Sequence, residues 1–399
     1  MPAHRIMFVE ASIGGVVGGS LTGILHLLPR LDRRRFAPAL TLFEPKPIAT
    51  GDLPVHVLPP LPVPTEPVGR LRLGRALQRL NGLHSVVAPR ARALIELFRR
   101  ERPALVYLVN GLPATVDGVV AAAVCRVPVI CHEKGFRAVG PFDRLMSRWV
   151  DACICMTDEI AEHYRSRSVR ARRFVTVYDG IDCEHFVPGD GAAVRREFEI
   201  PPEAPLVGIV GHIQDWKGQL LVADAVARAR RRRPDLRCLV VGGVHRRGTE
   251  YAARLQARIE APDIGGAVIL AGARQDVAAC MSAMDVVLHA SVTPEPFGRV
   301  LIEAMALGKP LIAPREGGPL VIVAHDETGL LVTPRDPDAL ADAIVELLDD
   351  PPRRRAMGAA ARARVDALFD IRHHVHAIEH VLDDILGAAS MPAAAGALA

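Results

Sequence analysis

Glu295 and Glu303 stand in one short stretch, SVTPEPFGRVLIEAMALG (291–308). The apolar run Asp285–His289 reads as a strand, a Pro-rich turn follows it, and a helix is expected from near Gly298. Glu295 then lies in the turn and Glu303 about five residues into the helix, roughly 7 Å further along its axis. A carboxylate accepts two hydroxyls of a sugar or ribose well. Free N–H groups at the helix start, from Phe297 to Leu301, favour a diphosphate. The same residues also fit a Glu295 that only starts the helix and a Glu303 on a solvated face.

Three other segments carry chemistry of the same kind. In PLVGIVGHIQDWKGQ (205–219) a strand ends at Gly211, a loop holds His212 and Lys217, and a helix follows Gly218. A cation beside a helix N-terminus neutralises phosphate charge, although no GxxxxGK[ST] loop is present. Lysine is scarce: of 49 basic residues only Lys46, Lys134, Lys217 and Lys309 are lysines, which hints at a place for a compact ammonium. In SIGGVVGGS (12–20), Gly18 and Gly19 before the N-cap residue Ser20 let backbone approach a ligand. No GxGxxG is present, so a dinucleotide fingerprint is not supported. In VPVICHEKGF (127–136), His132 ends an apolar strand and points to the crevice at its carboxyl end.

The elements that must position these residues form a strand–helix alternation along the chain. β-like runs are expected at Arg5–Ala11, Ala39–Phe43, Val55–Leu58, Leu105–Val109, Val127–Cys131, Ala152–Met156 and Phe174–Val177. A second set follows at Leu206–Gly211, Leu236–Gly242, Ala267–Leu270, Asp285–His289 and Pro310–Ala313. Helices lie between them, among them Ser20–Leu28 and Gln219–Arg233. This rhythm means parallel sheets covered on both faces. The expected fold is α/β, with two doubly wound Rossmann-like domains facing across a cleft. Domain limits are expected at 1–188 and 189–370, divided near the Gly-, Asp- and Pro-rich stretch 178–191. A last helix over 371–387 packs back on the first domain, and a flexible tail fills 388–399.

Composition narrows the classes further. The chain has 399 residues, half of them hydrophobic and 24% charged, which excludes general disorder. No apolar run approaches the ~20 residues of a spanning helix, and the start reads as a strand rather than a signal peptide. The seven cysteines are scattered without a CxxC pair. They read as small core hydrophobes in a reducing, cytoplasmic setting. Net charge is +4, but residues 1–190 hold 25 Lys/Arg against 18 Asp/Glu. The first half is therefore the expected side for an anionic partner.

Taken in this order, the four segments resemble the retaining nucleotide-sugar glycosyltransferases of glycosyltransferase family 4, with the GT-B fold. The most specific element is the E-x7-E pattern, Glu295 to Glu303, followed by GGPLVIVAHDETGLLV (317–332). The resemblance implies that Glu303 binds the ribose hydroxyls of the donor. Glu295 binds hydroxyls of the transferred sugar near the anomeric carbon. Backbone groups of Phe297 and Gly298 help hold the sugar, and those of Val300 and Leu301 hold the phosphates. Lys217 matches the diphosphate-binding lysine. The turn Gly272–Arg274 borders the base. Gly18 and Gly19 match the glycine loop, and His132 the strand-end histidine that contacts the donor sugar. His212 replaces the usual arginine, so phosphate neutralisation falls more on Lys217. The stretch after Gly317-Gly318-Pro319 lacks the Glu often found there.

The implied reaction moves a sugar from a nucleoside diphosphate to an acceptor hydroxyl with retained configuration, and with no metal or other cofactor. The implied acceptor is a glycan or lipid-linked molecule of cell-envelope or exopolysaccharide synthesis. Residues 66–103 hold nine Arg and three Glu. Such a segment fits peripheral contact with anionic lipid at the inner membrane face, and equally a solvated Arg-rich helix pair. Nucleic acid is a poorer match at 4% aromatic content. A nucleotide-sugar epimerase or hydrolase of the same fold, or a non-catalytic nucleotide-sugar-binding protein, are the alternatives.

Overall fold

The computed structural model describes residues 2–13, 19–59, 83–245 and 248–390. The chain divides into two compact units. One comprises the chain through Tyr178 and again from His374; the other runs Asp179–His373. The sequence reading divides the chain about ten residues later. The reason for the difference lies in the segment after Tyr178: Asp179 and Gly180 bond Arg299, and Ile181 pairs with Asp370. That segment is therefore tied into the second unit from its first residue.

The first sheet holds β1 (His4–Glu10), β2 (Phe36–Leu42), β3 (Val55–Val57), β4 (Leu105–Leu108), β5 (Val129–Glu133), β6 (Ala152–Cys155) and β7 (Phe174–Thr176). Its order is β3-β2-β1-β4-β5-β6-β7, and the neighbouring strands pair in parallel. β4 (LVYL) and β6 (ACIC) are buried at every position, as apolar runs covered on both faces must be. Cys131, Cys153 and Cys155 sit in this core as small hydrophobes. β5 begins two residues later than expected and runs through Glu133, so His132 lies within the strand rather than just beyond it.

The second sheet holds β8 (Leu206–Val210), β9 (Arg237–Val241), β10 (Val268–Gly272), β11 (Val286–Leu288), β12 (Leu311–Pro314) and β13 (Gly329–Val332). Its order, β10-β9-β8-β11-β12-β13, reverses direction between β8 and β11. Doubly wound sheets place their ligands beyond the carboxyl ends of the strands at such a switch point. The core packs Val222 and Val226 of the helix Gln219–Ala229 with Leu340 and Ile344 of the helix Pro337–Asp349, over Val207, Ile209 and Val240. Each such buried aliphatic side chain contributes about 1.5–3 kcal/mol.

The last helix, Ile371–Ser390, packs on the first unit from His374 onward. Its Glu379 accepts the Asp32 N–H at 2.7 Å, and its Asp384 pairs with Arg173 at 3.0 Å. It outruns the expected end at 387; residues 391–399 lie outside the described residues. Among the described residues no helix is long and apolar enough to cross a membrane.

Candidate functional site

The second unit builds its site at the switch point. β8 and β11 are adjacent and parallel, so the loops that follow them emerge side by side. The first loop makes a short helix, Asp215–Lys217, closed by Gly218 at φ +74. A Cβ on Gly218 would stand 1.9 Å from the carbonyl oxygen of Ala290, in the second loop. The Val292 N–H donates to the Trp216 carbonyl at 2.8 Å. The two loops are thereby stitched together through backbone.

This brings Lys217 to Glu295, with Nζ 2.7 Å from Oε2. The same oxygen accepts from Ser291 Oγ at 3.1 Å and faces His289 Nε2 at 3.2 Å. Lys217 Nζ also lies over the Trp216 ring, 3.9 Å from its centroid. Burial alone pushes the Glu295 carboxyl up. The His289 hydrogen bond and the charges of Lys217 and His289 outweigh that and bring it down to about 2. Glu295 is therefore an anion at neutral pH, buried and held by three donors.

Glu303 sits on the helix Arg299–Ala306. It is not part of the Lys217 cluster. Its neighbour is Arg299, with Nε 3.9 Å from Oε1. Arg299 in turn donates to Asp179 Oδ2 at 2.9 Å and to the Gly180 carbonyl at 3.3 Å. Burial raises the Glu303 carboxyl above its ordinary value, Arg299 counteracts, and Asp179 adds to the rise. The helix begins at Gly298, φ +103, where any other residue would be strained.

The remaining second-unit residues divide between site and support. Phe297 is buried against Phe369, with ring centroids 5.9 Å apart. Val300 is half-buried. Leu301 is fully buried, and its N–H closes a turn onto the Gly298 carbonyl at 2.9 Å rather than standing open. Gly317 and Gly318 pack under this turn, and the Gly318 N–H donates to the Glu295 carbonyl at 2.7 Å. A Cβ on Gly318 would meet the Phe297 carbonyl oxygen at 2.0 Å. His212 is exposed and edge-on to His245, 6.0 Å between centroids. Arg274 lies over the Phe198 ring and bridges Glu197 and Asp276. Its guanidinium is spent on these two carboxylates.

In the first unit, His132 is buried on β5. Its Nδ1 lies 2.7 Å from the Tyr107 hydroxyl, and its ring stacks on His374 at 6.4 Å. Next to it, Glu133 is fully buried, and its Oε1 accepts the Leu112 N–H at 2.7 Å. Burial pushes this carboxyl up to about 7. At the end of β1, Glu10 Oε1 accepts from Asn110 Nδ2 at 3.0 Å. Gly19 opens the helix Gly19–Leu27; Gly18 lies outside the described residues. Of the basic stretch 66–103, residues through 82 also lie outside them. The helix Ala88–Glu101 is described, and its Arg90 is buried, 3.9 Å from Asp117 and over the Phe43 ring. That arginine is neither solvated nor available to lipid, whereas Arg92, Arg99, Arg100 and Arg102 of the same stretch are exposed.

Sequence reasoning missed His289, Ser291, Arg299, Asp179, Tyr107 and His374. The first three lie in or beside the Glu295–Glu303 stretch, so their proximity was visible there. Asp179 fell in the expected linker, and nothing local marked its partnership with Arg299. Among the described residues one group has metal-ligand spacing, Cys183, Asp366 and Asp370. Its acids pair with Arg362 and Arg372.

Comparison with known proteins bears on both units. Residues 191–364 match the family described as Glycosyl transferases group 1, and residues 17–185 match Glycosyltransferase Family 4. A D-inositol 3-phosphate glycosyltransferase of Corynebacterium urealyticum is 37% identical over 215 residues, covering 52% of this chain and 50% of that protein. The protein of the same name from Mycobacteroides abscessus is 39% identical over 221 residues, covering 54% and 48%. The chain thus spans about half the length of the curated relatives it matches. Among solved structures, Anabaena Alr3699/HepE in complex with UDP superposes with a TM-score of 0.78 at 24% identity, over 95% of this chain and 100% of that one. The sucrose-phosphate synthase of Thermosynechococcus elongatus gives 0.75 at 22%, over 96% and 100%. Together with the two parallel-sheet units, these likenesses show the GT-B fold.

Proposed function

We propose that this GT-B chain, with its group 1 and family 4 glycosyltransferase halves, transfers a sugar from a nucleoside-diphosphate sugar to an acceptor hydroxyl with retained configuration. The observation that carries the reading is the joined pair Lys217 and Glu295 at the switch point, with Glu303 on the helix that follows. The names of the relatives agree with a glycosyltransferase, and the Anabaena neighbour was solved with UDP and with UDP-glucose.

In this reading the second unit holds the donor. Lys217 supplies the compact cation for the diphosphate, and the start of the helix Arg299–Ala306 adds its positive end. Oε2 of Glu295 already has three donors, so Oε1 takes a hydroxyl of the transferred sugar. Glu303 takes the ribose hydroxyls, and Phe297 and Gly298 shape the turn that faces the sugar. Val300 contributes its backbone to the phosphates, while Leu301 serves through packing. The bond from the anomeric carbon to the diphosphate oxygen breaks, and the acceptor oxygen bonds that carbon on the same face. The acceptor proton passes to a phosphate oxygen of the leaving group. Stabilising the leaving charge with one preorganised donor is worth roughly 3 kcal/mol of barrier.

No divalent metal is needed for this charge balance. By the same resemblance His132, oriented by the Tyr107 hydroxyl, is assigned to the transferred sugar and acceptor, and Gly18 and Gly19 to the glycine loop. Gly272–Arg274 borders the base. A glycan or lipid-linked acceptor of envelope or exopolysaccharide synthesis fits, as does a cytoplasmic enzyme with seven free cysteines. Peripheral membrane contact through part of 66–103 belongs to the same proposal.

The test is a thermal-shift screen of nucleotide sugars, followed by donor consumption with candidate acceptors and with chelator. Acceptor-dependent nucleoside diphosphate release, unchanged by chelator, is expected. Release of free sugar or an epimer without acceptor would replace this reading with a hydrolase or epimerase.

A further inference from the structure

A cavity of about 560 Å³ opens on the first unit. Its wall is the amino edge of the first sheet: Val127 and Pro128 lead into β5, Asp151 into β6, and Arg172 and Arg173 into β7. The strands are parallel, so His132 and Glu133 lie at the opposite edge. At ~3.3 Å per residue, the length of β5 separates the two edges by roughly 16 Å. The cavity is therefore distinct from the strand-end site discussed above.

Four arginines line it, Arg126, Arg148, Arg172 and Arg173, against the single lining carboxylate of Asp151. Arg172 spends its charge on Asp151 Oδ1 at 3.0 Å, and Arg173 on Asp384 at 3.0 Å. The second Asp151 oxygen already accepts the Val129 N–H at 2.8 Å. Among the described residues no carboxylate pairs with Arg126 or Arg148, and both are exposed. Two uncompensated guanidinium groups thus share one concave surface, which focuses positive potential inside it.

Both are held by rigid backbone. Arg126 caps the helix Val116–Cys125 at φ +56, donating its N–H to the Ala122 and Ala123 carbonyls. Arg148 lies in the single turn Ser147–Trp149, whose Ser147 hydroxyl donates to the Arg144 carbonyl at 2.7 Å and accepts the Arg170 N–H at 2.8 Å. Beside them the Trp149 ring lines the cavity while remaining 49% exposed. Val124 and Leu145, on the helices flanking it, are also exposed.

We propose that this cavity binds a phosphate-bearing ligand, with phosphate oxygens forked by Arg126 and Arg148 and an apolar portion against Trp149. The planar guanidinium presents paired donors that match phosphate oxygens, and an exposed tryptophan offers an apolar face with a polar edge. The phosphate could belong to a freely diffusing anion or to an anionic lipid headgroup. The site is independent of the donor-site reading.

The test measures tripolyphosphate by titration calorimetry, and separately co-sedimentation with phosphatidylcholine vesicles with and without phosphatidylglycerol. Binding in at least one arm is expected, weakened about tenfold or more in the Arg126→Glu/Arg148→Glu protein. The same reversal at Arg231 and Arg232, exposed on the second unit, should leave it unchanged. Tripolyphosphate binding alone assigns a diffusing anion. Binding only to phosphatidylglycerol vesicles, lost in the double variant, assigns a lipid headgroup. The charge-neutral Arg126→Gln/Arg148→Gln protein should fall between, which separates loss of the site from loss of the fold. No binding in either arm, or equal binding by wild type and the double reversal, overturns the proposal.

Discussion

Lys217 and Glu295 are 78 residues apart in the chain and close an ion pair of 2.7 Å between the loops that leave β8 and β11. The pair joins the cation assigned to the diphosphate to the carboxylate assigned to the sugar. The ammonium helps hold the carboxylate ionised, and the pair is in place before ligand arrives, so part of the ordering cost of binding is met in advance.

Replacing Lys217 with Ala should weaken nucleoside diphosphate binding by about ten- to a hundredfold, the range for a lost charge-assisted hydrogen bond. Calorimetry with the tightest nucleotide from the thermal-shift screen reads this directly. Arg231→Ala, on an exposed turn, serves as the control. Equal losses from both would count against the site.

The carboxyl of Glu295 is lowered to about 2 from its ordinary 4.5. A depressed acid adds stability that is present above about pH 4.5 and is lost as pH falls toward 2. For this buried group the contribution is at most ~3 kcal/mol. Glu295→Gln should therefore flatten the acid limb of the unfolding free energy against pH. It should also abolish transfer while leaving the fold intact at neutral pH.

Glu133 has the opposite sign. Burial raises its carboxyl to about 7, so the folded protein holds a proton that the unfolded chain releases near 4.5. Stability from this group is full below about pH 4.5 and declines until pH passes 7, by about 3 kcal/mol. Asp117, raised to about 6, adds to the same trend. Denaturant unfolding of Glu133→Gln across this window should show a shallower decline than wild type; parallel curves would remove the assignment.

Arg299→Ala leaves Asp179, which is 7% exposed, without its guanidinium. The expected loss is ~3 kcal/mol or more. Asp179→Asn in the same chain should recover part of it. A double-mutant cycle read by thermal unfolding should give a coupling of about 1–3 kcal/mol, and strict additivity would dissolve the pair.

Gly318→Ala places a methyl 2.0 Å from the Phe297 carbonyl oxygen. The turn that carries Glu295 must then shift. The expected cost is about 3 kcal/mol in stability, with a larger loss in donor affinity than at Gly387, whose Cβ meets nothing within 4 Å.

Much of this architecture is legible in the sequence because parallel strands covered on both faces are written as unbroken apolar runs. β4, β6, β8 and β11 are of that kind. The Glu295–Glu303 stretch was equally plain, since a strand, a Pro-rich turn and a helix follow one another without interruption. What stayed hidden depends on distance along the chain. Arg299 and Asp179 meet across 120 residues, and His374 reaches His132 from the last helix. Arg90 read as one of a solvated or lipid-facing run, because its buried partner Asp117 belongs to another helix. The end of the final helix was misplaced because AAS (388–390) carries no stop signal and alanine prolongs a helix.

The first unit is discontinuous, completed by the chain from His374 onward after the whole second unit. A ribosome therefore releases every strand of the first sheet long before the segment that carries Glu379 and Asp384, the partners of Asp32 and Arg173. During synthesis the second unit is the one able to finish early, while the earlier-made unit waits with an uncovered flank. Nascent chains stalled just short of residue 374 should expose that flank to proteases and chaperones.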